Sequence, residues 1–219
     1  MRALLLLSLL TSALSAAPER WAKDMSRFEW SDLLSPPPQN AHLFVGSSSI
    51  RKWDLKSAFP YLITLNRGFG GSELEDSFFY ADRIIIPHRP KVIFLYAGEN
   101  DISREKTAQE VAAEYSKFVA RIRNFLPKVP VVFISIKPSI ARWSHWPEME
   151  KANRFIEALT FQNPGLHYLD IASPMIPDGQ KPATNLFADD GIHLSPKGYK
   201  IWTDLVQGWV NEQSSRPKK

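Results

Sequence analysis

The sequence predicts an α/β fold, a doubly wound sandwich built on a five-stranded parallel sheet, and three observations predict it. Five short runs rich in apolar, β-branched and aromatic residues recur along the chain: "AHLFVG" (41–46), "YLITLNRG" (61–68), "KVIFLYAG" (91–98), "VPVVFISI" (129–136) and "LHYLDIA" (166–172). Longer stretches with helical periodicity separate them. The runs are apolar throughout instead of alternating, so both faces of each strand are to be buried; that is the habit of a parallel sheet covered by helices on either side, joined by right-handed crossovers.

Each element follows in order. The first segment, "MRALLLLSLLTSALSAA" (1–17), carries one charge at Arg2, an apolar run from Ala3 to Leu10 and small residues from Ser12 to Ala17. This is the layout of a secretory signal peptide, and the apolar run is too short to span a bilayer. Small residues at Ala13/Ser15 and at Ser15/Ala17 place the expected cut between 15 and 17, leaving 18–219 as one exported domain, periplasmic or secreted. "PERWAKDMSRFEWSDLL" (18–34) is expected as a helix laid on that domain, with "SPPPQN" (35–40) separating it from the first strand.

Within "TAQEVAAEYSKFVARIRNFLPK" (107–128), Val111, Tyr115, Phe118, Val119, Ile122 and Leu126 recur at steps of three and four. Glu110, Glu114, Lys117 and Arg121 take the opposite face, and Pro127 is the expected stop. The last helix, within "SPKGYKIWTDLVQGWV" (195–210), has Ser195 as N-cap, Pro196 at its first position and Ile201, Leu205 and Trp209 along one side.

Composition bounds the function. With 219 residues, 44% of them hydrophobic, the chain suffices for one well-buried domain. It has no cysteine, which removes disulfides, thiolate metal sites and a cysteine nucleophile. A net charge of +4 is too small to argue for a nucleic-acid partner, and no second apolar run is long enough to form a stable membrane anchor.

In a doubly wound sheet the reactive groups sit at the carboxyl ends of the strands. There the chain places "GSSS" (46–49), "NRGFGGS" (66–72), "GEND" (98–101) and, beyond the fifth strand, "DDGIHLSPKG" (189–198). Each alone reads as a turn; together they contain the parts of an acyl-transfer site. A serine nucleophile needs a base and a third group to orient that base. His193 and Asp190, three residues apart in one turn, fit those roles. The oxyanion needs donors, each worth about 3 kcal/mol of barrier. The candidates are the nucleophile's own N–H, the N–H of Gly71 and the side-chain amide of Asn100. The G-x-S-x-G elbow of the α/β-hydrolase fold is absent, since Ile50 stands where its second glycine would be.

These residues carry a family resemblance. From about His42 to the last helix the sequence resembles an SGNH hydrolase of the GDSL esterase/lipase superfamily. "GSSS" stands where that family has G-D-S-[LI], which puts the nucleophile at Ser48 and a serine, Ser47, in place of the usual aspartate. Gly71 matches the glycine of the second block, "GEND" the G-x-N-D block with Asn100, and "DGIH" the D-x-x-H block with Asp190 and His193. The resemblance implies a flavodoxin-like three-layer α/β/α sandwich, catalysis with no metal or other cofactor, and hydrolysis of carboxylic esters or thioesters.

The expected function is an exported serine esterase acting through an acyl-enzyme on acetyl or short-chain acyl esters of small molecules or polysaccharides. The alternatives are a lysophospholipase or acyltransferase of the same fold, or a binding module for carbohydrate or lipid without turnover. Candidates to line an acyl or sugar pocket are Phe69, Arg142, Trp143, His145 and Trp146, with packing into the core at least as strong an expectation. Glu99 is expected to cap or brace the loop that presents Asn100. The sequence says nothing of oligomeric state.

Overall fold

The computed structural model describes residues 17–215. The expected signal segment 1–17 therefore lies outside the described residues, Ala17 excepted. In chain order the elements are α1 (Ala17–Arg20), α2 (Ala22–Leu34), β1 (His42–Gly46), α3 (Ser48–Arg51), α4 (Leu55–Ala58), β2 (Thr64–Gly68), α5 (Leu74–Phe79), α6 (Ala81–Ile84), β3 (Val92–Tyr96), α7 (Glu99–Ser103), α8 (Ala108–Phe125), β4 (Val131–Ile134), α9 (Trp146–Gln162), β5 (Leu166–Leu169) and α10 (Pro196–Ser215). Short 3-10 turns join several of them.

The five strands form one sheet in the order β2-β1-β3-β4-β5, parallel at every pairing. β1 sits second from one edge and pairs in register with both neighbours, so Gly46 faces Gly68 on one side and Tyr96 on the other. Successive side chains point to opposite faces, and both faces are covered. Leu43, Val45, Ile93, Leu95, Val131 and Phe133 face a core shared with α2, α5, α8 and α9. Phe44, Phe94, Tyr96, Val132 and Ile134 face a second core closed by α3, α4 and α10, with Trp53 and Trp202 at its centre. This is the three-layer α/β/α sandwich expected from the sequence, and it explains why the strands read as unbroken apolar runs.

The ends of elements differ from the expected bounds. The N-terminal helix breaks at Trp21, whose ring packs edge-on against Phe69 at 5.5 Å. β2 starts at Thr64, three residues later than expected, because Tyr61 stands out in solvent at 97% exposure and pairs with nothing in the sheet. β5 stops at Leu169 because the Asp170 carboxylate accepts the Ala172 and Ser173 N–H groups and turns the chain away. The long helix α8 begins after Thr107, a cap not foreseen from the sequence and reciprocated by Glu110, and Phe125 is its last residue, two before Pro127.

Candidate active site

The site assembles at the carboxyl ends of β1, β2, β3 and β4, with one further loop in front of α10. β1 ends on Gly46 (φ +128°), where a Cβ would stand 1.9 Å from the Tyr96 carbonyl oxygen, so only glycine lets the chain turn there against β3. Ser47 follows as N-cap of α3, its N–H donating to the same Tyr96 oxygen at 3.0 Å. α3 is held from two sides. The Asn66 amide of β2 donates to the Ile50 carbonyl at 2.8 Å, and the Tyr199 hydroxyl of α10 donates to the Ser49 carbonyl at 2.8 Å.

These constraints separate three serines that look equivalent in sequence. Ser47 and Ser49 are buried, at 4% and 2% exposure, while Ser48 at the first position of α3 opens toward the site. Its Oγ lies 2.9 Å from Nε2 of His193. The other ring nitrogen, Nδ1, lies 2.5 Å from Asp190 Oδ2. The other oxygen of Asp190 accepts the N–H groups of Ile192 and His193 at 2.9 and 2.8 Å, fixing the carboxylate in its own turn. Burial pushes the Asp190 carboxyl up, but the hydrogen bond from the His193 ring, these two N–H donors and the attraction of the ring when it is protonated outweigh it and hold the group far below the usual carboxylate range.

The turn carrying both residues is closed by Ala188 N–H on His193 O and by the Phe187–Leu194 bridge. Ala141 N–H on Gly191 O, at 3.1 Å, ties it to the loop after β4. With Nδ1–H donated to a carboxylate, Nε2 is the nitrogen free to accept the Ser48 hydroxyl proton.

The three donor groups named from the sequence stand on the loops that follow β1, β2 and β3. Among the described residues no protein acceptor takes the N–H of Ser48 or of Gly71. Gly71 holds a left-handed backbone (φ +75°), and its carbonyl accepts from the Arg104 guanidinium at 3.2 Å, which fixes the loop. The Asn100 amide donates from Nδ2 to the Ser72 carbonyl at 2.8 Å, and its Oδ1 accepts from Arg142 Nη1 at 3.0 Å. A carbonyl on one side and a guanidinium on the other demand the same amide orientation, leaving one N–H of Asn100 over. Asp101, fully buried, ties the second and third loops together by accepting Leu74 N–H at 2.9 Å and Gly98 N–H at 3.0 Å.

Behind Asn100 lies a buried polar cluster that sequence reasoning missed except for Glu99. The Glu99 carboxylate accepts from the Tyr96 hydroxyl at 2.8 Å, from Ser139 Oγ at 2.9 Å and from the Lys137 ammonium. It also lies 3.4 Å from Arg142. Burial pushes the Glu99 carboxyl up, yet the Lys137 ammonium and the Arg142 guanidinium together hold it below its ordinary value; Glu99 stays ionised. Burial lowers the Lys137 ammonium against the pull of Glu99. The signal for Lys137 was its place: "IKPS" puts a lysine just past a fully apolar strand, where the chain is still inside the molecule.

The expected pocket needs correction. Phe69 is fully buried: its N–H still pairs with Gly46 O at 2.9 Å, extending the β2 alternation by one residue and turning the ring into the core beside Trp21 and Tyr80. Trp146 is buried among the core side chains beneath Trp143, the two rings stacked at 6.2 Å. His145 and Trp143 are half-buried, and Arg142 is engaged by Asn100 and Glu99. The open groove lies on the other side of His193. It measures about 670 Å³ and is walled by Trp53, Ala58, Leu194, Pro196 and Tyr199, with Lys52, Asp54, Lys200 and Asp204 at its edges.

Residues 46–201 match the sequence profile of the GDSL-like Lipase/Acylhydrolase family. The chain belongs to this family. As a GDSL-like acylhydrolase it is an ester-hydrolysing enzyme, and the four blocks described above all fall inside the matched residues. No curated protein sequence matches it.

Among solved structures, a Streptococcus pneumonia protein named for platelet activating factor superposes with a TM-score of 0.78 at 17% identity, covering 88% of this chain and 93% of that one. A GDSL-like lipase from Bacteroides thetaiotaomicron gives 0.73 at 17% identity, covering 87% and 98%. A variant of Axe2, an acetyl-xylooligosaccharide esterase from Geobacillus Stearmophilus, gives 0.64 at 13% identity, covering 83% and 99%. At these identities the likeness is one of fold, and it places this GDSL-like chain on the same five-stranded α/β scaffold.

Proposed function

We propose that this GDSL-like acylhydrolase is a serine esterase in which Ser48 is the nucleophile, His193 the base, Asp190 its orienting acid, and Ser48 N–H, Gly71 N–H and the Asn100 amide the oxyanion donors. The observation that carries the reading is the His193 ring bridging Ser48 Oγ at 2.9 Å and Asp190 Oδ2 at 2.5 Å. As Ser48 Oγ attacks the ester carbonyl carbon, its proton passes to His193 Nε2 and the carbonyl oxygen becomes the oxyanion. Collapse of that intermediate breaks the bond to the alcohol, which leaves with the proton from Nε2. Water then attacks the acyl-Ser48 ester by the same route in reverse, releasing the acid.

The substrate is proposed as an acetyl or short-chain acyl ester of a carbohydrate. The leaving alcohol takes its proton from His193, so the alcohol portion belongs on the side where His193 lines the groove. That groove sets the half-buried ring of Tyr199, beside the edge of the largely buried Trp53, among charged and hydroxyl groups, a mixture suited to a sugar's apolar faces and hydroxyls. The fold likeness to an acetyl-xylooligosaccharide esterase agrees with it. Residues 1–17 extend the proposal to export, where polysaccharide esters are met.

A panel of p-nitrophenyl acetate, p-nitrophenyl butyrate and acetylated xylo-oligosaccharide tests this reading. Wild type is expected to cleave the short esters far faster than Ser48→Ala. If no ester in the panel distinguishes the two proteins, the reading fails.

A further inference from the structure

We propose that Arg142 is a positioning residue for the oxyanion site, holding the Asn100 amide in place while the buried Glu99–Lys137 pair holds Arg142. The inference rests on the esterase reading, and it replaces the pocket role expected of Arg142 from sequence. Arg142 Nη1 stands 3.0 Å from Asn100 Oδ1 and 3.4 Å from Glu99 Oε1, so one nitrogen serves both the amide and the carboxylate. Without it, the Asn100 side chain keeps one bond, to the Ser72 carbonyl, and is free to turn about that contact.

The charges set the size of the effect. Lys137, fully buried, and Glu99 cancel one another, which leaves the positive charge of Arg142 directly behind the Asn100 carbonyl. A guanidinium bonded to an amide oxygen draws electron density from the amide and strengthens its N–H as a donor, in a region where burial weakens screening. The free N–H of Asn100 therefore meets a developing oxyanion both pre-oriented and polarised. Arg142 is outside the groove beside His193, so its loss is expected in the chemical step and not in ground-state binding.

Steady-state hydrolysis of p-nitrophenyl acetate by wild type, Arg142→Ala and Arg142→Met, with and without guanidinium chloride at sub-denaturing concentration, tests the proposal. Both variants are expected to lose about 10- to 100-fold in kcat, with KM within about twofold of wild type. Added guanidinium, but not ammonium, is expected to restore part of the Arg142→Ala activity. Either variant suffices should the other not fold.

The proposal is overturned if kcat stays within about twofold of wild type, or if KM alone rises, the mark of a substrate contact. It is equally overturned by a deficit that guanidinium does not relieve and that follows a fallen melting temperature. Wild type that turns over no ester overturns the esterase reading itself, and this proposal with it. An active wild type with equally active variants overturns this proposal alone.

Discussion

His193 directs its two ring nitrogens to different partners, and the proposed chemistry of the site rests on that division at the scale of single residues. Asp190 fixes the proton on Nδ1; an asparagine there could present its NH2 to the ring and stabilise the tautomer that cannot accept from Ser48. Asp190→Asn is therefore expected to lower kcat by about 10³- to 10⁴-fold with little change in melting temperature, read by steady-state kinetics and thermal unfolding. The residue types were legible in sequence because each role admits few of them: a hydroxyl, an imidazole, a carboxylate, an uncharged amide. Which serine is the proposed nucleophile follows in the sequence only from the family register, since the burial of Ser47 against β3 and of Ser49 under Tyr199 is a matter of tertiary packing. The Glu99–Lys137 pair was not legible, because 38 residues separate the partners; the place of Lys137 just past an apolar strand signals its burial but not its partner.

Among the elements, α3 determines whether Ser48 meets His193 across a separation of 145 residues. It crosses the end of β2 so closely that a Cβ on Gly68 would stand 2.3 Å from the Arg51 backbone nitrogen. Gly68→Ala is expected to push α3 off the strand, break the Asn66 bond to Ile50 O and cost about 1–3 kcal/mol of stability. Chemical denaturation measures that loss, and an esterase assay on the folded variant is expected to show a larger proportional loss of activity. All five strands were legible as apolar runs, while their ends were not. β2 starts only after the exposed Tyr61, and β5 stops where Asp170 captures two N–H groups, events of tertiary contact and local hydrogen bonding that periodicity does not encode. Likewise the expected pocket failed at Phe69 because backbone pairing continued one residue past the glycine that resembled a strand end.

At the scale of the whole molecule, the sheet is buried on both faces, and the active-site loops are joined to one another through charged groups held inside it. Asp101 is the clearest case, since it bonds the loops after β2 and β3 from a fully buried position. Burial, reinforced by the carboxylates of Glu114 and Glu73, pushes its carboxyl up to about 7 against the opposing pull of Leu74 N–H and Lys106. A folded-state value above the unfolded one means the folded protein keeps a proton that the unfolded chain releases. The Asp101 contribution to stability therefore falls as pH rises from about 4 to about 7 and is level above that. Urea unfolding across this range is expected to show wild type losing stability relative to Asp101→Asn as pH rises, and a constant difference would contradict the assignment.

The central claim is that one serine of three is the nucleophile. Reaction of the wild-type protein with a fluorophosphonate, followed by mass spectrometry of its peptides, tests it most directly. The account predicts a single adduct on Ser48, absent from Ser48→Ala and retained in Ser47→Ala and Ser49→Ala; an adduct on Ser47 or Ser49, or labelling that survives Ser48→Ala, would contradict it.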